Sequence, residues 1–222
     1  MAYPLSARPL LLGHRGARIS DPYIPENSFE AFDLALKEGC YGFEFDVRCT
    51  QDGRLLICHD SELMGRNVAG TAYSNFQDSA ACLEDVLARY SGSAFLDIEL
   101  KVAGMQNAVI AVLRANPPKR GYVVSSFLPE ALFEINAQDG AIPLGFICDK
   151  KKELERWPTL PVEFVIPHHK LLSRHLIEEL HGAGKKVFTL TVNDRNDMLR
   201  LAEWGAEAII SDQPRLLAQT FL

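Results

Sequence analysis

The chain has 222 residues, with 23 Lys and Arg against 29 Asp and Glu, a formal net charge of −6. That balance argues against non-specific binding to nucleic acid or to an anionic membrane, yet leaves room for a local basic site that takes one phosphate. At 47% hydrophobic and 23% charged, the composition excludes disorder, collagen and coiled coil as readings of the whole chain. Domains average about 150 residues, and α/β barrels of this length form one unit, so residues 1–222 read as a single domain. The five cysteines (Cys40, Cys49, Cys58, Cys82 and Cys148) form no C-x-x-C pair and read as thiols in a reducing compartment. The apolar run from Pro9 to Leu12 is too short for a signal peptide, and nothing approaches the ~20 apolar residues of a membrane span. The expectation is a cytoplasmic protein without stable membrane association.

In chain order, short apolar runs alternate with helix-like stretches. Strands are expected over Leu10–Gly13, Gly42–Arg48, Phe95–Leu100, Tyr122–Ser125, Leu144–Ile147, Phe164–Ile166, Val187–Val192 and Ala208–Ile210. Helices are expected over Phe29–Glu38, Glu84–Tyr90, Gln106–Ala115, Glu130–Ala137, Ser173–His181, Asn196–Trp204 and Arg215–Phe221, with a short one near Lys151–Arg156. Ser28 can cap the first helix and Gly39 can end it. Eight strands, each usually followed by a helix, predict a (β/α)8 TIM barrel, with an open doubly wound sheet as the alternative. Asp52-Gly53 between two strand-like runs predicts a β-hairpin extension after the second strand. With a two-residue loop, Gln51 pairs with Arg54 and Asp46 faces His59; a bulge would shift this by one residue.

Barrel chemistry sits at the C-terminal ends of the strands. The first strand there ends in His14-Arg15-Gly16, the second carries Glu44 and Asp46, the hairpin returns to His59-Asp60, and the third ends in Glu99-Leu100-Lys101. Alternation puts Glu44 and Asp46 on one face, and Asp97, Glu99 and Lys101 on one face. Carboxylates converging on one mouth repel each other unless a divalent cation joins them; all-oxygen ligands favour Mg²⁺ or Ca²⁺. The alternative is a salt-bridge network with Arg15, Arg48 and Lys101. His14 and His59 beside an acidic site fit an acid/base pair, and Arg15 and Lys101 fit an anionic ligand such as phosphate. Gly16 either lets backbone approach that ligand or serves a turn.

These residues resemble the glycerophosphodiester phosphodiesterase family. The matching pieces run in family order: His14-Arg15-Gly16, Pro25-Glu26-Asn27-Ser28, Glu44-Phe45-Asp46-Val47, Thr50-x-Asp52-Gly53, His59-Asp60 and Ile98-Glu99-Leu100-Lys101. Ser125-Ser126-Phe127, Thr191-Val192-Asn193-Asp194 and Ile209-Ile210-Ser211-Asp212-x-Pro214 follow. The resemblance implies a metal-dependent barrel that cleaves a small-molecule glycerophosphodiester to sn-glycerol 3-phosphate and an alcohol. Glu44, Asp46 and Glu99 match the family's metal ligands, His14 and His59 its acid/base pair, and Arg15 and Lys101 its phosphate contacts. Glu26 and Asn27 are expected to support the site or to serve the loop.

Two departures bear on the substrate. The family's long insertion before the Glu-x-Lys strand is missing, since only Ser61 to Ser93 intervenes, so little or no inserted cap domain is expected and the pocket reads as open. The family often has Trp where this chain has Leu190; Phe127, Phe188 or the pair His168-His169 are candidate substitutes, with the two phenylalanines read first as core. Asp60 either orients His59 or caps the loop, and Asp212 reads as the N-cap of the last helix. The competing functions are a phosphodiesterase acting on lysophospholipids or another phosphodiester, for which no conspicuous apolar rim is visible, and a non-catalytic phosphometabolite-binding barrel. The leaving alcohol, the choice of cation and the oligomeric state stay open.

Overall fold

A computed structural model describes residues 8–20 and 23–221. Eight parallel strands close into a barrel: β1 (Leu10–Gly13), β2 (Gly42–Cys49), β3 (Phe95–Leu100), β4 (Tyr122–Ser126), β5 (Leu144–Cys148), β6 (Phe164–Pro167), β7 (Lys186–Thr189) and β8 (Ala208–Ser211). Each pairs with the next, and β1 closes the ring by pairing with both β2 and β8. One helix follows each strand: α1 (Phe29–Lys37), α2 (Leu83–Tyr90), α3 (Gln106–Ala115), α4 (Pro129–Gln138), α5 (Lys151–Leu154), α6 (Arg174–Gly182), α7 (Arg195–Trp204) and α8 (Pro214–Phe221). Ser28 and Ser173 cap α1 and α6 through their hydroxyls, which places Ser173 just outside its helix. Closure satisfies the backbone of both end strands, which an open sheet would leave unpaired.

Period-two alternation divides the apolar residues into two layers. Phe43, Phe45, Leu96, Ile98 and Leu100 face the helices. Leu12, Phe95, Val123, Phe164, Ile166, Phe188 and Ile210 fill the barrel, with the Phe164 and Phe188 rings 4.7 Å apart. Phe188 is therefore core, as expected.

Two expectations are corrected. The seventh strand ends at Thr189; beyond it Leu190 makes a single bridge to His168, and the Val192 N–H bonds Ile210 O at 2.9 Å. The hairpin forms, but in a different register. Val47 pairs with Ile57 and Cys49 with Leu55, so Asp46 lies opposite Cys58, whose N–H donates to Asp46 O at 3.0 Å. The cause is a three-residue loop, Gln51-Asp52-Gly53, in which Gly53 takes φ 81° and its N–H bonds Thr50 O. His59 lies one position further along.

Residues 61–82 form no cap domain. A short hairpin (Glu62–Leu63 with Arg66–Asn67) and a turn of 3-10 helix (Tyr73–Asn75) pack Val68 and Phe76 onto Leu56 and Cys58. A second short hairpin, Ile19–Ser20 with Tyr23–Ile24, follows β1 and has no counterpart in the sequence reading.

Candidate active site

Glu44 and Asp46 of β2, Glu99 of β3, and Lys101 just past it project into the barrel mouth. The three carboxylates are buried, and each offers an oxygen within 4.8 Å of the others. Glu44 Oε2 accepts the Arg15 backbone N–H at 2.9 Å, whereas its buried Oε1 has no hydrogen-bond partner. Asp46 Oδ2 accepts the Asn27 side-chain amide at 2.8 Å and lies 3.2 Å from Arg15 Nε. Lys101 Nζ bonds Glu99 Oε1 at 2.6 Å and lies 3.3 Å from Asp46 Oδ1.

Arg15 and Lys101 thus join the carboxylates as the sequence suggested, but Arg48 does not. Its Nε donates instead to the His59 carbonyl at 2.8 Å. Two cations do not neutralise the pocket. Asp97 lies fully buried below, accepting the Ser125 hydroxyl at 2.5 Å. Burial first, and neighbouring carboxylates next, push Glu44 well above the usual carboxylate range and Glu99 up to about 7. Burial also lifts Asp97 to about 7 against the Ser125 bond. Asp46 goes the other way: burial would raise it, but Lys101, the Asn27 amide and Arg15 hold it low. Converging buried carboxylates with an unpartnered oxygen among them fit a hard divalent cation.

Glu26 and Asn27 both reach this cluster. Arg15 Nη1 donates to Glu26 Oε1 at 2.6 Å, so Glu26 steadies the guanidinium. Asn27 sits in the left-handed region at φ 57° and bonds Asp46 twice. The turn reading of Gly16 holds in the structure. At φ 83°, a Cβ there would lie 2.6 Å from the Ala31 backbone.

The histidines differ in their surroundings. His14 Nε2 lies 3.8 Å from Glu44 Oε2, and its Nδ1 lies 2.7 Å from Asp212 Oδ1. Asp212 is therefore not simply the cap of α8. The Gln213 N–H bonds Ser211 Oγ instead, and Asp212 turns inward to His14. His59 Nδ1 lies 2.7 Å from Asp60 Oδ1, and that bond holds Asp60 below the usual range. Asp60 thus contacts the His59 ring.

The far side of the mouth is built from the loops after β4 to β7. Phe127 is 37% exposed, not core, with Lys101 Nζ 5.7 Å from its ring centre. A crevice of about 440 Å³ opens beside it, lined by Phe146, Asp149, Lys150 and Arg156 among others. Leu190 packs on the barrel interior and bridges His168. His168 Nδ1 accepts the Lys170 N–H, and His169 reaches Asp197 at 3.5 Å. Tyr23 and Met64, at 75% and 68% exposure, stand on loops after β1 and β2, an apolar feature of the mouth face that the sequence did not make conspicuous.

No local stretch of the sequence shows the contact of His14 with Asp212 or that of Asp212 with Asn193. One signal was available: in a closed eight-stranded barrel the last strand pairs with the first, so the residue after β8 lies beside the residue after β1.

The chain is similar to known proteins over most of its length. The profile of the glycerophosphoryl diester phosphodiesterase family matches residues 14–77 and 95–216. A glycerophosphodiester phosphodiesterase of Bacillus subtilis is 26% identical over 253 residues, covering 94% of this chain and 85% of its own. The glycerophosphodiester phosphodiesterase of Caldanaerobacter subterraneus is 25% identical over 236 residues, covering 94% and 96%. Among solved structures, a phosphodiesterase from Oleispira antarctica, in complex with the product sn-glycerol-3-phosphate, superposes with a TM-score of 0.82 at 24% identity, covering 96% of each chain. A glycerophosphodiester phosphodiesterase from Parabacteroides distasonis superposes with a TM-score of 0.83 at 21% identity, again covering 96% of each.

Proposed function

The chain belongs to the glycerophosphoryl diester phosphodiesterase family, and from that membership we propose that it hydrolyses a small glycerophosphodiester to sn-glycerol 3-phosphate and an alcohol, with His14 and His59 as the acid/base pair. The observation that carries this reading is the convergence of Glu44, Asp46 and Glu99 within 4.8 Å, with Arg15 and Lys101 pressed against them. Those three residues would hold one divalent cation, Mg²⁺ or Ca²⁺, which when bound supplies positive charge against the phosphoryl oxygens. Arg15 and Lys101 bind the non-bridging phosphate oxygens, the guanidinium as a planar fork and the ammonium as a point charge. One histidine takes the proton of the attacking hydroxyl at its Nε2; attack by water gives glycerol 3-phosphate directly, whereas attack by the glycerol hydroxyl gives a cyclic phosphate that water then opens. The other gives its Nε2 proton to the departing alkoxide.

Residues 1–222 are read as one catalytic domain. The described cysteines are all free, which supports the cytoplasmic reading, and no described helix is long and apolar enough to cross a membrane. A second reading, action on lysophospholipids, is favoured by one observation: the exposed Tyr23, Met64 and Phe127 on the mouth face. The test is release of glycerol 3-phosphate from glycerophosphocholine and glycerophosphoethanolamine. It is run after chelation, then with Mg²⁺ or Ca²⁺ restored, alongside His14→Ala. Metal-restored release lost in His14→Ala supports the first reading. Release of choline and lysophosphatidic acid from lysophosphatidylcholine, with no glycerol 3-phosphate from the two glycerophosphodiesters, supports the second.

A further inference from the structure

Two motifs late in the chain, Thr191-Val192-Asn193-Asp194 and Ser211-Asp212, take no part in the chemistry described so far. In the fold they meet His14. We propose that Asn193 and Asp212 form a positioning relay that holds the His14 ring with its proton on Nδ1, leaving the Nε2 lone pair facing the carboxylate cluster. This rests on the phosphodiesterase reading for its catalytic meaning.

The geometry is continuous. Parallel pairing of β1 with β8 sets Gly13 against Ser211, and the His14 N–H bonds Ser211 O at 2.8 Å. His14 and Asp212 are therefore side by side, each one residue past its strand, although 198 positions separate them in the chain. Asp212 Oδ1 lies 2.7 Å from His14 Nδ1. An ionised carboxylate only accepts, so the imidazole nitrogen donates. Asp212 Oδ2 accepts the Asn193 side-chain amide at 2.7 Å. Asn193 Oδ1 in turn accepts the Asp212 backbone N–H and the Ser211 hydroxyl, both at 3.0 Å. Both Asp212 oxygens are thus occupied, and the amide that holds one is itself held at two points. Burial alone would raise the Asp212 carboxyl, but the bonds from His14 and Asn193 keep it below its usual value, so it stays an acceptor.

His59 has no such support. Its partner Asp60 is 78% exposed, against 19% for Asp212, and the His59 ring is 34% exposed against 12% for His14. A carboxylate in water holds a ring weakly; a buried one fixed by a second residue holds it in one orientation.

The test separates positioning from mere stability. In wild-type protein with ¹⁵N-labelled histidine, at a pH of about 9 where imidazole is neutral, His14 is expected to show a protonated Nδ1 and an unprotonated Nε2. Asp212→Asn is expected to lose that tautomer and to lower kcat by about 100-fold or more with KM within about twofold. Asp212→Glu should recover part of the loss, and Asn193→Ala should lower kcat by about tenfold, with metal affinity and Tm near wild type. A wild-type His14 protonated on Nε2 overturns the relay without recourse to any variant. So does an Asp212→Asn protein with unaltered kcat. Wild-type protein that binds metal but releases no glycerol 3-phosphate overturns the proposed function, and the ring nitrogens still decide the relay.

Discussion

Asn27 grips Asp46 with both ends of its side-chain amide: its Nδ2 donates to Asp46 Oδ2 at 2.8 Å, and its Oδ1 accepts the Asp46 backbone N–H at 3.2 Å. Asn tolerates the left-handed φ of 57° there better than most residues. Removing the amide leaves two buried groups of Asp46 without that partner. Asn27→Gly keeps the backbone and loses both bonds, so it is expected to weaken divalent-metal affinity by about tenfold or more, measured by calorimetric titration. Asn27→Ala adds backbone strain and should also lower Tm below that of Asn27→Gly.

The raised carboxyls give the metal-free protein a pH signature. Glu99 and Asp97, near 7 in the fold, return to about 4 when unfolded. Folding therefore takes up protons. That stabilisation is complete below about pH 4 and lost as pH rises through about 7. Asp46 and Asp212 are held low, so their contribution runs the other way and is lost in acid. Thermal unfolding in chelator should show higher stability at pH 5 than at pH 8. Adding Mg²⁺ or Ca²⁺ should raise Tm at pH 8 far more than at pH 5, with proton release on binding. A metal-induced shift that is equal at both values would count against the triad as the site.

Glu44→Gln separates metal binding from folding. The residue is 1% exposed, and its side chain carries an unpartnered oxygen among other carboxylates. Removing its charge is expected to raise the Tm of the metal-free protein at pH 8 while reducing metal affinity and turnover by at least about 100-fold. A coupled assay and a melting curve on one preparation read both.

Lys101 touches Glu99 and Asp46 and lies over the exposed Phe127 ring. Lys101→Met keeps most of the stem and removes the charge. Turnover should fall by about 10²–10³-fold. Arg15→Lys keeps a charge but loses the fork that reaches Glu26 and Asp46 together, and a rise in KM for glycerophosphocholine is the expected result.

Gly16 tests the turn beneath the His14-Arg15 pair. A Cβ would meet the Ala31 backbone at 2.6 Å and would have to adopt φ 83°. Gly16→Ala is expected to cost about 2 kcal/mol or more in urea unfolding. An unaffected midpoint would show that the loop rebuilds around the methyl group.

Local chemistry made much of this molecule readable in one dimension. Alternating apolar runs and helical stretches set out eight βα units, because a buried strand and an amphipathic helix each write their period into the chain. The same period of two placed Glu44 with Asp46, and Glu99 with Lys101, on inward faces at one end of the barrel. The Asp52-Gly53 hairpin was readable too, but its register was not, because Gly53 allows either of two loop lengths and the third loop residue moved Cys58 opposite Asp46. Phe127 reads as core by composition, yet the mouth leaves it partly open to solvent beside Lys101. The raised Glu44 and Glu99 come from burial among like charges, which no local sequence window contains. Asp212 looks like a helix cap from its neighbours alone. It reaches His14 because the first and last strands of a closed barrel must share hydrogen bonds, a condition set by the whole ring and by no segment of it.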